Sequence, residues 1–226
     1  MEVEVDDYKG MQDYFAENKY VVIRSFISTE MATLLYSYCL SLTRSIDFKI
    51  MHDKSNHCPD WDGNFHDPQV PGSFVRYGDP MMDSLLVMST ESMSKFTGLS
   101  LQPNYAYWRL YQKYNVLARH RDRDSCEIST TLCLGYDVSN VDHNVYPDYD
   151  WPMFVESKDH PDGLPIHLKP GDMIIYRGCD VDHWRQEFPG LNHAQVFMHY
   201  NDTNGPFCNY LDGRPIPGIP KKFQKE

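Results

Sequence analysis

The first hundred residues carry apolar positions at helical spacing. A short apolar run, Tyr20–Ile23, is followed by Ser28 and Glu30, which suit a helix cap and an acidic first turn. Apolar residues then recur every three or four positions through residues 31–42, and again through 82–96, where Asp79-Pro80 opens the segment and Gly98 closes it. The pattern predicts one short strand and two amphipathic helices.

From residue 105 onward the apolar period changes from helical spacing to two. Alternation of this kind is typical of half-buried strands, and a clear turn at Lys169-Pro170-Gly171-Asp172 separates two of the runs. Short strands that follow helices predict a mainly β fold, a jelly-roll core supported on one face by N-terminal helices. The seven predicted strands are 105–111, 127–136, 151–156, 165–168, 173–177, 181–187 and 193–200.

Residues 51–77 show little periodicity and are rich in His, Asp, Pro and Gly, so we predict a long loop. Its scattered His and Cys residues match the spacing of no common zinc site. We interpret the loop as a lid or substrate-contacting segment, in which Trp61, Phe65 and Phe74 either close over a bound molecule or anchor the loop to the core.

Length and charge limit the classes of function. A chain of 226 residues can bury a core without a metal, and we expect one domain: helical support and lid loop in 1–104, the β core in 105–202 and an extended tail in 203–226. The net charge of −11 makes nucleic acid an unlikely partner. The acidic start and the absence of a long apolar run predict a cytoplasmic protein that does not bind membranes. The oligomeric state cannot be read from the sequence.

Three residues on the predicted strands suit a metal ion. If the first strong strand continues through His120-Arg121-Asp122, the imidazole and the carboxylate point to the same face, and His183 lies on a later strand. Two His and one carboxylate that leave other positions open form the facial triad of non-haem Fe(II) oxygenases. A structural zinc site would instead need four protein ligands.

The order of these motifs is similar to that of a known superfamily. Residues 105–202 resemble the double-stranded β-helix core (jelly-roll or cupin-like) of the Fe(II)/2-oxoglutarate-dependent dioxygenases, including their prolyl-hydroxylase-like and phytanoyl-hydroxylase-like branches. The matching motifs are His120-Arg121-Asp122, Leu168-Lys169-Pro170-Gly171-Asp172, Asp182-His183-Trp184-Arg185, and Gln195-Val196-Phe197-Met198-His199-Tyr200.

This resemblance implies an enzyme with catalytic metal ligands His120, Asp122 and His183. It implies Fe(II) as the metal, with 2-oxoglutarate and O2 as co-substrates, and release of succinate and CO2 as the substrate is hydroxylated. The expected substrate is a small molecule or a peptidyl side chain. The motifs do not identify it.

The distal carboxylate of 2-oxoglutarate also needs a partner. The family usually places Arg or Lys about ten residues after the second histidine, where this chain has His193. Arg185 shares a strand face with His183, so we favour Arg185 with His193 as helper. Tyr111 and Arg109 are further candidates, because the face of 105, 107, 109 and 111 is predicted to line the barrel while the opposite face packs against the helices. Each has an alternative as a packing or ion-pairing residue.

Two other functions remain open from the sequence. A cupin-like metal-dependent isomerase or hydrolase would use the same His, Asp and His without 2-oxoglutarate, and the lack of Arg or Lys at position 193 leaves this alternative open. A jelly-roll binding module would need none of the three ligands.

Overall fold

The computed structural model describes residues 8–52, 62–142, 144 and 150–214, in which three α-helices and ten β-strands are found. The helices are α1 (Tyr8–Asn18), α2 (Thr29–His52) and α3 (Pro80–Thr97). The strands are β1 (Tyr20–Ile23), β2 (Phe74–Tyr77), β3 (Leu101–Gln112), β4 (Leu117–His120), β5 (Ile128–Asp137), β6 (Met153–Ser157), β7 (His160–Ile166), β8 (Met173–Arg177), β9 (His183–Arg185) and β10 (Asn192–Asp202).

The strands form two antiparallel sheets. The larger has the order β1-β8-β5-β10-β3-β2, and the smaller has the order β4-β9-β6-β7. The neighbouring strands β3 and β10 of the larger sheet pair over most of their length, from Asn192 opposite Gln112 to Asp202 opposite Leu101. This is the predicted β core, and all seven predicted strands overlap observed ones.

The helices cover one face of the larger sheet, as the alternation in β3 predicts. Ala106, Trp108 and Leu110 are buried in one apolar cluster with residues of all three helices. The alternate residues of β3, which include Tyr105, Tyr107 and Arg109, line a cavity on the opposite face. Because side chains alternate along a strand, the two faces of one sheet serve packing and the site separately.

The start of α3 shows how local sequence fixes an element. The Asp79 side chain accepts hydrogen bonds from the Met81 and Met82 backbone N–H groups, and Gly98 ends the helix at a φ of 73°. The same carboxylate, fully buried, also accepts from Tyr38 and from the Trp108 indole, so the helix cap is tied to α2 and to the sheet.

Four features differ from the sequence predictions. Helix α1 was not predicted. Strand β2 lies inside the predicted loop 51–77 and pairs with β3. The strand before His120 does not continue from β3: after a turn, β4 joins the smaller sheet. In the described part of the tail, residues 203–209 form turns, and the Arg214 side chain is 2% exposed and ion-paired with Asp83.

No helix in the described ranges is both long enough and apolar enough to cross a membrane.

Candidate functional site

His120, Asp122 and His183 meet at one end of the smaller sheet. His120 is the last residue of β4 and His183 is the first of β9, and the two residues are direct partners in this antiparallel pair. Asp122 lies two residues beyond β4, where its backbone N–H donates to the Gly178 carbonyl at 2.8 Å. The structure therefore brings the three predicted ligands together, although a strand pairing rather than one continuous strand achieves it.

The separations of the three side chains suit a single ion. Asp122 Oδ1 lies 3.7 Å from His120 Nε2 and 3.6 Å from His183 Nε2, and the ligand atoms of the three residues all lie within 4.8 Å of one another. Two atoms that each bind a metal at about 2.1 Å are at most about 4.2 Å apart, and both distances from Asp122 Oδ1 fall within this limit. A nitrogen, nitrogen and oxygen donor set of this size suits Fe(II) or a similar divalent ion.

Both histidines are oriented by backbone carbonyls. His120 Nδ1 lies 2.8 Å from the Ala118 oxygen, and His183 Nδ1 lies 3.1 Å from the Val181 oxygen. Since a carbonyl only accepts, each Nδ1 carries the proton and each Nε2 lone pair faces the site. Burial lowers the pKa of His183, which favours the neutral imidazole that a metal ligand requires.

The second carboxylate oxygen of Asp122, Oδ2, is fixed by a hydrogen bond from a buried serine. Ser129 Oγ donates to Asp122 Oδ2 at 2.7 Å and lies 3.0 Å from His199 Nδ1. Ser129 is fully buried and His199 nearly so. Burial alone would lower the pKa of His199 and raise that of Cys126, but their mutual attraction outweighs burial and shifts both the other way.

A cavity of about 470 Å³ opens beside the three ligands. This volume lies in the range of small-molecule sites, roughly 300–1,000 Å³. The wall carries both aromatic rings and guanidinium groups. The lining residues are Gln69, Tyr77, Tyr105, Tyr107, Arg109, Leu117, His120, Arg121, Asp122, Arg123, Cys126, Thr131, Met153, Tyr176, His183, Arg185, Gln195, Phe197 and His199.

Arg185 lies deep in this cavity. Its side chain is 2% exposed, donates to the Trp151 carbonyl and stacks over the Trp151 ring at 4.6 Å. No carboxylate in the described part of the chain forms an ion pair with it. Burial lowers the pKa of Arg185, which reflects the cost of a charge without a counterion. The arrangement is suited to binding an anion.

Arg109 also lines the cavity, but a carboxylate from the loop neutralises it. Asp67 forms a buried ion pair with Arg109, and the Gln69 side-chain oxygen accepts from the same guanidinium at 2.8 Å. Burial would raise the pKa of Asp67, but the Arg109 charge outweighs burial and lowers the pKa of this carboxyl below its usual value. Arg109 therefore anchors the loop at the cavity.

Tyr111 and His193 do not line the cavity. The Tyr111 hydroxyl accepts from Arg109 at 3.1 Å and its ring contacts Trp151. His193 stacks on Tyr136 and contacts Trp151, so it shares that ring with Arg185. Neither His193 nitrogen has a hydrogen-bond partner, and burial lowers its pKa well below the usual value. Both residues lie behind the cationic residues of the wall.

The loop contributes polar residues that the sequence reasoning missed. Its aromatic residues Phe65 and Phe74 pack against each other and the helix-side core, 5.1 Å between ring centres, so they anchor the loop. Trp61 lies outside the described residues. Gln69 Nε2, in contrast, lies 3.0 Å from His120 Nε2. An Asp-Pro-Gln sequence between two aromatic anchors carries no signal by itself, because its position depends on the fold.

Arg121 and Arg123 flank Asp122 in the sequence, where nothing distinguishes either from an ordinary surface residue that forms ion pairs. Arg121 does pair with Asp182, at 2.6 Å. Arg123 instead lines the rim of the cavity and donates to the Tyr105 hydroxyl at 2.9 Å.

No protein-family model and no curated protein matches the sequence. Solved structures match at the level of fold. A Pseudomonas putida prolyl-4-hydroxylase aligns with 15% identity and a TM-score of 0.60, over 86% of this chain and 98% of that one. HygX from Streptomyces hygroscopicus, with nickel, 2-oxoglutarate and hygromycin B bound, aligns with 14% identity and a TM-score of 0.59, over 85% and 87%.

A third structure, the non-haem α-ketoglutarate-dependent epimerase SnoN from nogalamycin biosynthesis, aligns with 13% identity and a TM-score of 0.59, over 96% of both chains. These neighbours all have a jelly-roll core. The fold predicted from the sequence is confirmed: this chain has the double-stranded β-helix fold of the Fe(II)/2-oxoglutarate oxygenases.

Proposed function

We propose that the protein is an Fe(II)- and 2-oxoglutarate-dependent oxygenase that hydroxylates a small molecule or a peptidyl side chain. The observation that carries the proposal is one cavity that contains a facial triad and, deeper in, a buried guanidinium without a carboxylate partner among the described residues. HygX, which has this fold, binds nickel and 2-oxoglutarate, and nickel stands in there for Fe(II).

In this proposal His120 Nε2, Asp122 Oδ1 and His183 Nε2 hold the iron. When bound with 2-oxoglutarate and O2, the iron supplies the oxidising chemistry, with release of succinate and CO2. The residues of the chain position and orient the metal ligands. The Ala118 and Val181 carbonyls fix the imidazole protons, and Ser129 leaves Asp122 Oδ1 free to bind the metal.

Arg185 is our candidate for the distal carboxylate of 2-oxoglutarate. A carboxylate there would compensate a charge that burial now penalises, and the planar guanidinium can donate two parallel hydrogen bonds. Thr131 and Tyr176 line the same cavity and offer further hydroxyl groups. For Arg109, Tyr111 and His193 we propose support of the wall and the loop rather than direct contact with 2-oxoglutarate.

Gln69 lies on the open side of the triad. Its carboxamide can only donate to the unprotonated His120 Nε2, and a metal ion would use the same lone pair. Metal binding therefore requires this hydrogen bond to break, which frees Gln69 Nε2 while its Oε1 still accepts from Arg109.

The test is anaerobic addition of Fe(II) and then 2-oxoglutarate to the purified protein, with the visible charge-transfer band of an iron-chelated 2-oxo acid as readout. We expect the band in wild type and in His160→Ala, whose imidazole is exposed and outside the cavity. We expect none in His183→Ala, and a higher 2-oxoglutarate requirement in Arg185→Lys and Arg185→Gln.

Bound metal without the band would reject the proposal and favour the cupin-like isomerase or hydrolase. Hydroxylation itself needs a separate readout, since SnoN is an epimerase with the same fold. Incorporation of oxygen from labelled O2 into a product, measured by mass spectrometry, distinguishes hydroxylation from epimerisation.

A further inference from the structure

Guanidinium groups are concentrated in the cavity of a protein that is acidic overall. The net charge is −11, yet Arg109, Arg121, Arg123 and Arg185 all line the cavity, where Asp122 is the one lining carboxylate among the described residues. Since Asp122 is a proposed metal ligand, its charge is directed to the ion. The partner of each guanidinium therefore decides what charge the cavity presents to a bound molecule.

Two of the four cations are neutralised by the chain. Arg109 forms its ion pair with Asp67, and Arg121 donates to Asp182 at 2.6 Å. Arg185 is the third, buried at depth, and our proposed function assigns it to 2-oxoglutarate. None of these three guanidinium groups is therefore available to pair with a charge on the primary substrate.

Arg123 is the fourth cation, and its side chain interacts with the Tyr105 phenol and the Cys126 thiol rather than with a carboxylate. It donates to the Tyr105 hydroxyl at 2.9 Å, and its guanidinium carbon lies 5.5 Å from the Tyr105 ring centre. Within the described ranges it forms no ion pair with a carboxylate. Its side chain is exposed at the rim, whereas the Tyr105 ring beneath is 5% exposed and rests on Tyr77 and His199. The buried ring holds an available cation in a fixed place.

Aromatic rings line the same cavity as Arg123 and the triad. Tyr77, Tyr105, Tyr107 and Phe197 all line it, and Tyr107 and Phe197 are in contact with 6.0 Å between ring centres. Such walls favour an apolar or planar body of small size. A cationic rim above an aromatic wall thus offers complementary contacts to an organic anion.

We propose that the primary substrate is a small organic acid whose anionic group binds Arg123 at the rim while its apolar or planar body lies against the tyrosine wall, with the reacting carbon toward the triad. The proposal rests on the proposed function for the reaction, but the anion contact is a property of the cavity. An uncharged substrate would leave Arg123 without a function in binding.

The experiment compares a charged probe with its neutral isostere. Binding of 3-phenylpropionate and of 3-phenylpropionamide is measured by ligand-observed NMR, on the protein alone and on protein saturated with Ni(II) and 2-oxoglutarate. We expect wild type to bind the carboxylate at least tenfold more tightly than the amide, and Arg123→Gln to weaken carboxylate binding about tenfold without changing amide binding. Arg121→Gln is the matched control, because its guanidinium is already paired with Asp182.

Equal affinity of wild type for both probes would overturn the proposal. Unchanged carboxylate affinity in Arg123→Gln would also overturn it. An equal loss of carboxylate affinity in Arg121→Gln would do the same, because the effect would then come from the overall charge of the cavity rather than from a contact with Arg123. If carboxylate affinity fell in Arg185→Gln but not in Arg123→Gln, the probe would be bound at Arg185, and the proposal would also be overturned. A failure of the proposed function is seen separately, as absence of the charge-transfer band.

Discussion

Ser129→Ala tests whether the hydrogen bond behind Asp122 prepares the metal site. The substitution removes one buried hydroxyl that donates to Asp122 Oδ2 at 2.7 Å. A hydrogen bond to a charged group contributes about 1.5–3 kcal/mol, and about 1.4 kcal/mol corresponds to a factor of ten. We therefore expect metal affinity to fall roughly 10- to 100-fold, as is typical for residues that orient metal ligands.

The assay is anaerobic competition for Fe(II), and in parallel for Co(II), against a chromophoric chelator. Ser89→Ala is the control, because it removes the same atom from a buried serine of α3 that does not line the cavity. Thermal unfolding of the metal-free variants shows whether either change disturbs the fold. Wild-type affinity in Ser129→Ala would refute the reasoning and leave Asp122 positioned by its backbone alone.

Three further outcomes are expected. Asp122→Ala should abolish metal-dependent turnover, measured as succinate release, and full activity would exclude the triad. Asp67→Asn leaves the Arg109 charge buried and unpaired. We therefore expect the free energy of unfolding, measured in urea at pH 7, to fall by about 3 kcal/mol. The pKa of Asp67 is lowered in the folded state, so its contribution is present above about pH 3.8 and the difference between wild type and variant should shrink as pH falls below that value. Asp79→Ala removes the α3 cap and leaves the Trp108 indole unpaired, so we expect the free energy of unfolding in urea to fall by more than about 2 kcal/mol.

The sequence determined most of the β core and singled out the three residues that the structure brings together as possible metal ligands. Alternation in β3 separated Trp108, which packs under the helices, from Tyr107 and Arg109, which face the cavity. This worked because a strand has only two faces and its register is fixed by which one is buried. The Asp79 cap and the Gly98 stop were likewise predictable, since both depend on a few neighbouring residues.

The partners of the site residues were decided only by the tertiary structure. His120 and His183 are 63 positions apart, and an antiparallel pairing of β4 with β9 brings them together. The sequence indicated even less about which arginines pair with a carboxylate. Arg123 and Arg121 look alike in sequence, but one faces Tyr105 and the other Asp182.

The same limit applies to the loop and to position 193. Asp67 and Gln69 reach Arg109 and His120 because strand β2 fixes the end of the loop beside β3. His193 lies at the usual cation position of the resembled family, but aromatic rings surround it and leave Arg185 at the cavity. Residue type and spacing determined which groups are available, while long-range packing decided which of them are neutralised and which remain free to bind a ligand.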